Sequence, residues 1–269
     1  MRYETTEISP ETATAWLANN ADFQRKLRQT VVDRYARDML NGAWNLTHQG
    51  IAFDTKGRLI DGQHRLAAIV KAGVPVKMTV VRDTPAGAFD HVDIGFCRTT
   101  ADVLKTQGEG WITPLHIATA RFMEAGSSIK GVNIARSPFE IREMVELHKN
   151  ALTFVFQNIE RHVKGVTTAP ALAAVAVAYY AEMDRVKLAD FLRLLVSGIA
   201  SDPQQDSTVI RLRDWLRDAS GAVSSASRLD SFMKTQRVVK AYMAGERLTK
   251  LYTPNEPCYT LKRRATANA

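Results

Sequence analysis

Asp61-Gly62-Gln63-His64-Arg65 places a carboxylate, a residue without a Cβ, an amide, an imidazole and a guanidinium in five consecutive positions. Their neighbours make this a strand-to-helix turn. Leu59-Ile60 is an apolar β run, and Leu66, Ile69 and Val70 follow at helical spacing up to Gly73. Gly62 permits the tight turn, so Gln63, His64 and Arg65 stand in the first helical turn, where N–H groups and the helix dipole favour an anion. A guanidinium grips phosphate through two parallel hydrogen bonds. An imidazole donates a hydrogen bond or moves a proton near neutral pH, and a carboxylate holds Mg²⁺ or orients a nucleophile. The five residues therefore spell phosphate chemistry, with Asp61 and His64 as the acid/base groups. The plainer reading is an Asp61–Arg65 ion pair across a helix start, worth at most about 1 kcal/mol.

A second set, Asp93-Ile94-Gly95-Phe96-Cys97-Arg98-Thr99-Thr100, joins an acid, a guanidinium and two hydroxyls ahead of a helix. It reads either as a helix cap made by Thr99 or Thr100, or as a second phosphate or metal arm. In the latter case Arg98, Thr99 and Thr100 touch phosphate, and Asp93 faces Asp61 across Mg²⁺. Cys97 reads as a small buried residue rather than a nucleophile. His48 reads as a surface-loop histidine. His91, His116, His148 and His162 have no ligand spacing among themselves, so no structural zinc is expected.

The elements that must position these residues alternate strand and helix over the first 109 positions. Tyr3–Ile8 is a strand. Ser9-Pro10-Glu11 opens a helix to Ala18, with Ser as N-cap and Pro in its first turn. Val31, Tyr35 and Met39 put one apolar stripe on a helix over 30–41. Residues 51–54 and 58–61 flank Thr55-Lys56-Gly57 as a hairpin. Val74–Val81 is a β-branched run, read as a buried strand. A short helix is expected over 85–89 and another over 101–106.

From Trp111 the β signal ends. Helices are expected over 112–125, 138–148, 150–162, 168–183, 186–199, 206–219 and 225–244. Ala171–Tyr180 is very apolar and reads as a central helix or as the face of a homodimer. The fold class is thus α+β: a first domain (1–109) with a small mixed sheet, then an all-α domain (110–269).

Charge divides along the same line. The chain has 36 Lys+Arg and 28 Asp+Glu, a net charge of +8. Residues 1–109 hold 14 basic and 13 acidic side chains, and residues 110–269 hold 22 and 15. The excess sits on the helical part. Arg211 and Arg213 lie on one helix, and Lys234, Arg237 and Lys240 recur three apart on the last, able to share a face. Such a stripe neutralises DNA phosphates; the alternative is ordinary solvated helix surface. The 269 residues suffice for a sizeable core. No apolar run reaches a membrane span, the N-terminal residues lack a signal-peptide pattern, and two distant cysteines exclude a disulfide framework. A reduced, cytoplasmic setting with no membrane partner is expected.

The Asp61–Arg65 run, followed by Leu66-Ala67-Ala68, Lys71-Ala72-Gly73 and the strand Val76–Val81, resembles the Asp-Gly-Gln-His-Arg variant of the ParB/sulfiredoxin superfamily. Upstream, Asn20-Ala21-Asp22-Phe23-Gln24-Arg25 is similar to that family's Asn-Pro-x-Gln-Pro-Arg pattern without its prolines, and Tyr35-Ala36-Arg37-Asp38-Met39 with Gly42 fits the same template. The resemblance covers residues 3–106. It implies a ParB/sulfiredoxin-like first domain that binds a nucleoside triphosphate, CTP or ATP, with Mg²⁺. Gly62, Gln63, His64 and Arg65 would touch phosphates, Asp61 would handle metal or proton, and Gln24 and Arg25 would sit near the triphosphate or base. The Gly-Cys-His-Arg motif of sulfiredoxin chemistry is absent. Three functions follow from this resemblance and the charge division: a nucleotide-dependent DNA-binding protein, slowly hydrolysing or not; an NTP-dependent phosphotransferase or NTPase acting on a small molecule or nucleobase; or a non-catalytic DNA-binding regulator.

Overall fold

The structure, a computed structural model, describes residues 1–21, 26–85, 99–106, 108–128, 131, 134–219 and 224–261. It is α+β, with one four-stranded mixed sheet and many helices. Two compact units are present: Met1–Thr100 with Ala135–Glu140, and Ala101–Ile134 with Ile141–Ala269. The division falls after Thr100 rather than after Glu109. Leu104, on the intervening helix, is fully buried in the helical core, and this sets the helix with the second unit.

In the first unit, β1 (Arg2–Ile8) leads to α1 (Pro10–Ala18) and α2 (Gln29–Leu40), then to β2 (Ile51–Asp54), β3 (Leu59–Asp61), α3 (Gln63–Ala72) and β4 (Val76–Thr84). The sheet order is β1-β4-β2-β3. β4 runs antiparallel to β1 and parallel to β2, and β2 and β3 form the antiparallel hairpin. The hairpin turn is held by Asp54, whose Oδ1 accepts from the backbone N–H groups of Lys56 and Arg58 at 2.9 and 2.8 Å. Ser9 caps α1, accepting from the Thr12 N–H at 3.2 Å, with Pro10 in the first turn.

Two expectations shift. β4 is not buried on both sides: Val76, Met78 and Val80 point into the core while Lys77 is exposed, the alternation of a sheet covered on one face. The inward stripe of α2 is Val32, Ala36 and Met39, one residue out of phase with the apolar series Val31, Tyr35, Met39. Tyr35 instead packs edge-on against Trp44, with ring centroids 5.2 Å apart. Segment Ala135–Glu140 is fastened by Arg37, which donates to Glu140 Oε1 at 2.6 Å and to the Ala135 carbonyl at 2.5 Å.

The second unit is helical: α4 (Thr100–Thr106, its first residue counted with the sheet), α5 (Pro114–Ala125), α6 (Pro138–Leu147, entering at Ile141), α7 (Lys149–Gln157), α8 (Ala169–Ala178), α9 (Arg185–Ser197), α10 (Pro203–Asp218) and α11 (Ser225–Ala244). α8 is its centre, with every residue from Pro170 to Ala178 buried. Being covered within its own chain, α8 offers no face to a second copy. The helix expected over 85–89 lies outside the described residues, apart from Pro85.

Candidate functional site

β3 delivers Asp61 to its end, paired with Ala52 of β2, and Gly62 makes the turn into α3 with φ +98°. Only glycine suits this position. A Cβ would meet Ile51 Cδ1 at 2.5 Å and Ile51 Cα at 3.1 Å, in a left-handed conformation that side chains resist. The residue that leads into β2, Gly50, is pressed harder still: its Cβ would lie 1.8 Å from the Thr79 carbonyl oxygen. The Gly62 N–H donates to Asp61 Oδ1 at 2.6 Å, and the Gly62 carbonyl accepts the first helical bond, from Leu66, at 3.0 Å.

The functional side chains are distributed around this turn. Arg65 folds back over it, donating through Nη1 to the Gly50 carbonyl at 2.8 Å and approaching Asp61 Oδ2 at 3.4 Å. Its side chain is 16% exposed and that of Asp61 43%. His64 Nε2 accepts from the Arg28 N–H at 3.0 Å. Gln63 is buried and its Oε1 accepts from Asn20 Nδ2 at 3.3 Å. The turn thus joins Asp61, Gly62, Gln63, His64 and Arg65, and also contains the plain Asp61–Arg65 ion pair. It offers a guanidinium held by one strong bond and two long ones, to Asp61 and to Gln49 Oε1 at 3.5 Å, a partly exposed carboxylate beside it, and a helix start. Those are the parts an anion-binding turn requires.

Gln24, Arg25, Asp93, Cys97 and Arg98, with His91, lie outside the described residues. Thr99 precedes α4 and Thr100 is its first residue, with Asp102 in the first turn. His48 is exposed. Among the described residues no group of three or more His, Cys, Asp or Glu side chains gathers as a metal site, and no helix is long and apolar enough to cross a membrane.

Four of the five basic residues expected to face DNA have partners within the helical unit. Arg211 donates to the carbonyls of Leu248 and Thr249 at 3.0 and 2.7 Å. Arg237 donates to the carbonyl of Lys250 at 3.1 Å and lies over the Tyr252 ring. Lys234 pairs with Asp230 at 2.8 Å and sits 4.0 Å from the Trp215 ring centroid. Arg213 packs against Gly198, where a Cβ would meet its Cζ at 2.8 Å. Of the five, Arg211 and Lys240 are exposed, and Lys240 has no partner of this kind.

Two arrangements carried no signal in the sequence. His148 is buried between Glu124 Oε1, at 2.6 Å from Nε2, and the Tyr180 hydroxyl, at 3.0 Å from Nδ1. Burial pushes the Tyr180 phenol above its ordinary value, with Tyr179 and Glu124 adding to the shift. The buried Gln236 amide pairs with both backbone groups of Tyr259, donating to the carbonyl at 3.0 Å and accepting from the N–H at 3.2 Å. Partners 24, 32 and 23 residues apart leave no periodic trace. No family model, curated protein or solved structure matches this chain.

Proposed function

We propose that the Asp61–Arg65 turn binds the phosphates of a nucleoside triphosphate, CTP or ATP with Mg²⁺, in a ParB/sulfiredoxin-like first unit, and that nucleotide occupancy governs contact of the helical unit with DNA. The observation that carries this reading is the turn itself. Gly62 has no room for a side chain, so the backbone passes from Asp61 straight into the first turn of α3. There Arg65 and Asp61 meet only at 3.4 Å. That contact is long enough for a phosphate to compete for the guanidinium, while the 2.8 Å bond to Gly50 keeps the guanidinium in place. Asp61, once released, is available to Mg²⁺.

Binding is better supported than proton transfer, because His64 Nε2 is already engaged by the Arg28 N–H. Asp61 would be the residue to hold Mg²⁺, which would supply charge neutralisation for the phosphates. The DNA part rests on charge: the helical part holds 22 basic against 15 acidic side chains, and Lys240 and Arg217 are exposed. The test is calorimetry of the full chain with ATP, GTP and CTP plus Mg²⁺, with and without duplex DNA. The reading requires binding of one nucleotide, its loss in Arg65→Ala, and salt-sensitive duplex binding that changes with nucleotide. Silence across the panel overturns it. Duplex binding indifferent to nucleotide leaves a regulator without a working nucleotide site.

A further inference from the structure

Residues 248–253 follow α11 without regular secondary structure, yet side chains fasten them at successive points. Arg211 of α10 donates to the Leu248 and Thr249 carbonyls at 3.0 and 2.7 Å. Arg237 of α11 donates to the Lys250 carbonyl at 3.1 Å and reaches the Tyr252 carbonyl at 3.4 Å. The Thr253 hydroxyl donates to Asp230 Oδ1. Tyr252 is thus held from both sides along the chain. Its ring is held as well, because the Arg237 guanidinium lies 3.2 Å from the ring centroid. Tyr252 is nevertheless 57% exposed. With one ring face against Arg237, what stands open is the opposite face and the ring edge.

Cations accompany this ring. From Arg237 to Tyr252 the chain carries Arg237, Lys240, Arg247 and Lys250 against a single acid, Glu246. Lys240, Arg247 and Lys250 are exposed, and among the described residues no hydrogen bond or ion pair engages their charged ends. Burial raises the pKa of the Cys258 thiol while Lys240 and Arg237 oppose that rise, so both cations stand beside the chain that follows α11. A fixed aromatic face among free cations suits a polymer whose bases stack on the ring while its phosphates meet the cations. A duplex keeps its base faces inside its own stack. Only a single strand can lay a base on Tyr252.

We infer that Tyr252 is a stacking platform for single-stranded nucleic acid. A base lies on the open face of the ring, Arg237 backs the other face, and the phosphates of the strand meet Lys240, Arg247 and Lys250. Stacking needs a base face but no particular base, so the contact tolerates many sequences. DNA and RNA strands share this chemistry. The surface belongs wholly to the second unit and needs no nucleotide at the Asp61–Arg65 turn.

The test is fluorescence anisotropy of the full chain with short labelled oligo(dT) and oligo(rU), a duplex of the same length, and polyglutamate as competitor, over a range of salt. At least one of the two strands binds saturably. The more tightly bound strand identifies the sugar, and equal binding means that the surface reads only what the two share. Tyr252→Leu weakens strand binding about tenfold, at an unchanged thermal midpoint and salt dependence, and leaves any duplex binding as it was. Tyr252→Phe keeps the ring and retains strand binding. Lys250→Ala lowers the slope of log affinity against log salt by about 0.7, and Arg65→Ala changes nothing. Failure of both strands to saturate overturns the inference. So does full strand binding in Tyr252→Leu, an equal loss of duplex binding in that variant, or displacement of the strand by polyglutamate at matched charge. Duplex binding that ignores Tyr252 would still leave the charge-based contact with DNA standing. A silent nucleotide panel beside Tyr252-dependent strand binding would overturn the nucleotide reading and not this one.

Discussion

Arg65 and Asp61 face each other one helical turn apart across the start of α3, yet the stronger bond of Arg65 goes elsewhere: 3.4 Å to Asp61 Oδ2 against 2.8 Å to the Gly50 carbonyl. The two side chains are therefore not equivalent partners. Asp61→Asn keeps an oxygen to accept the Gly62 N–H and loses only a partly exposed ion pair, so its stability should change by about 1 kcal/mol or less. Arg65→Ala strips a largely buried carbonyl of its donor and should cost about 1–3 kcal/mol. Urea unfolding of the two variants checks this. Equal losses would mean that the ion pair, not the Gly50 bond, holds the turn.

Three glycines of the first unit form a graded series. Gly73 has φ +69° and open space within 4 Å of where a methyl would sit, so Gly73→Ala should lose about 1–2 kcal/mol from backbone conformation alone. Gly62→Ala adds contact with Ile51 at 2.5 Å, whose terminal carbon can partly yield. Gly50→Ala drives a methyl to 1.8 Å from a backbone oxygen of β4, which cannot yield without moving a strand. Thermal midpoints should fall in the order Gly73→Ala, Gly62→Ala, Gly50→Ala. A Gly62→Ala protein as stable as Gly73→Ala would contradict the close approach of Ile51 to this turn.

Local chemistry was readable in advance because it is written in adjacent residues. Ser9-Pro10 starts α1, and Leu59 to Arg65 gives strand, turn and helix without reference to the rest of the chain. What escaped depends on the third dimension. On α2, Val32 and Ala36 are buried with Met39 in place of Val31 and Tyr35, because Tyr35 pairs with Trp44 at the edge of the core, which periodicity alone does not encode. For Arg211 and Arg237 the sequence shows the charge but not the carbonyls of Leu248 and Lys250 to which they donate. The turn at Asp61 is visible in the sequence, whereas the Gly50 carbonyl that holds Arg65 is not, since it comes from the residue leading into β2, fifteen positions earlier.

His116 sets a pH dependence. It stacks on Phe156 at 3.6 Å, and its Nδ1 accepts from the Thr113 N–H at 3.3 Å in a capping box at the start of α5. Burial holds its pKa below the ordinary 6.5. The folded protein thus prefers the neutral ring. The stability this group contributes is present above about pH 6.5 and is lost as the pH falls through that value towards the lowered folded pKa. His116→Gln retains a capping-box acceptor but does not titrate. Unfolding measured from pH 7.5 to 5 should show a smaller decline in His116→Gln than in the parent protein, and parallel curves would exclude His116 as the source.

The two arginines that reach the chain after α11 separate architecture from DNA contact. Arg211 and Arg237 together satisfy carbonyls of Leu248, Thr249 and Lys250, so residues 248–252 are fastened by side chains rather than by regular secondary structure. Substituting either with Ala should free this segment: amide hydrogen exchange at 248–252 accelerates, by roughly tenfold for a loss of about 1.4 kcal/mol in local opening. Exchange in the central helix α8 should be unaffected. Lys240 is exposed, so Lys240→Ala should leave both exchange and stability unchanged. If DNA is bound along α11, that same variant should weaken duplex binding and reduce the slope of log affinity against log salt by about one. A duplex affinity lowered by Arg237→Ala but untouched by Lys240→Ala would show that the tail, and not the exposed lysine, makes the contact.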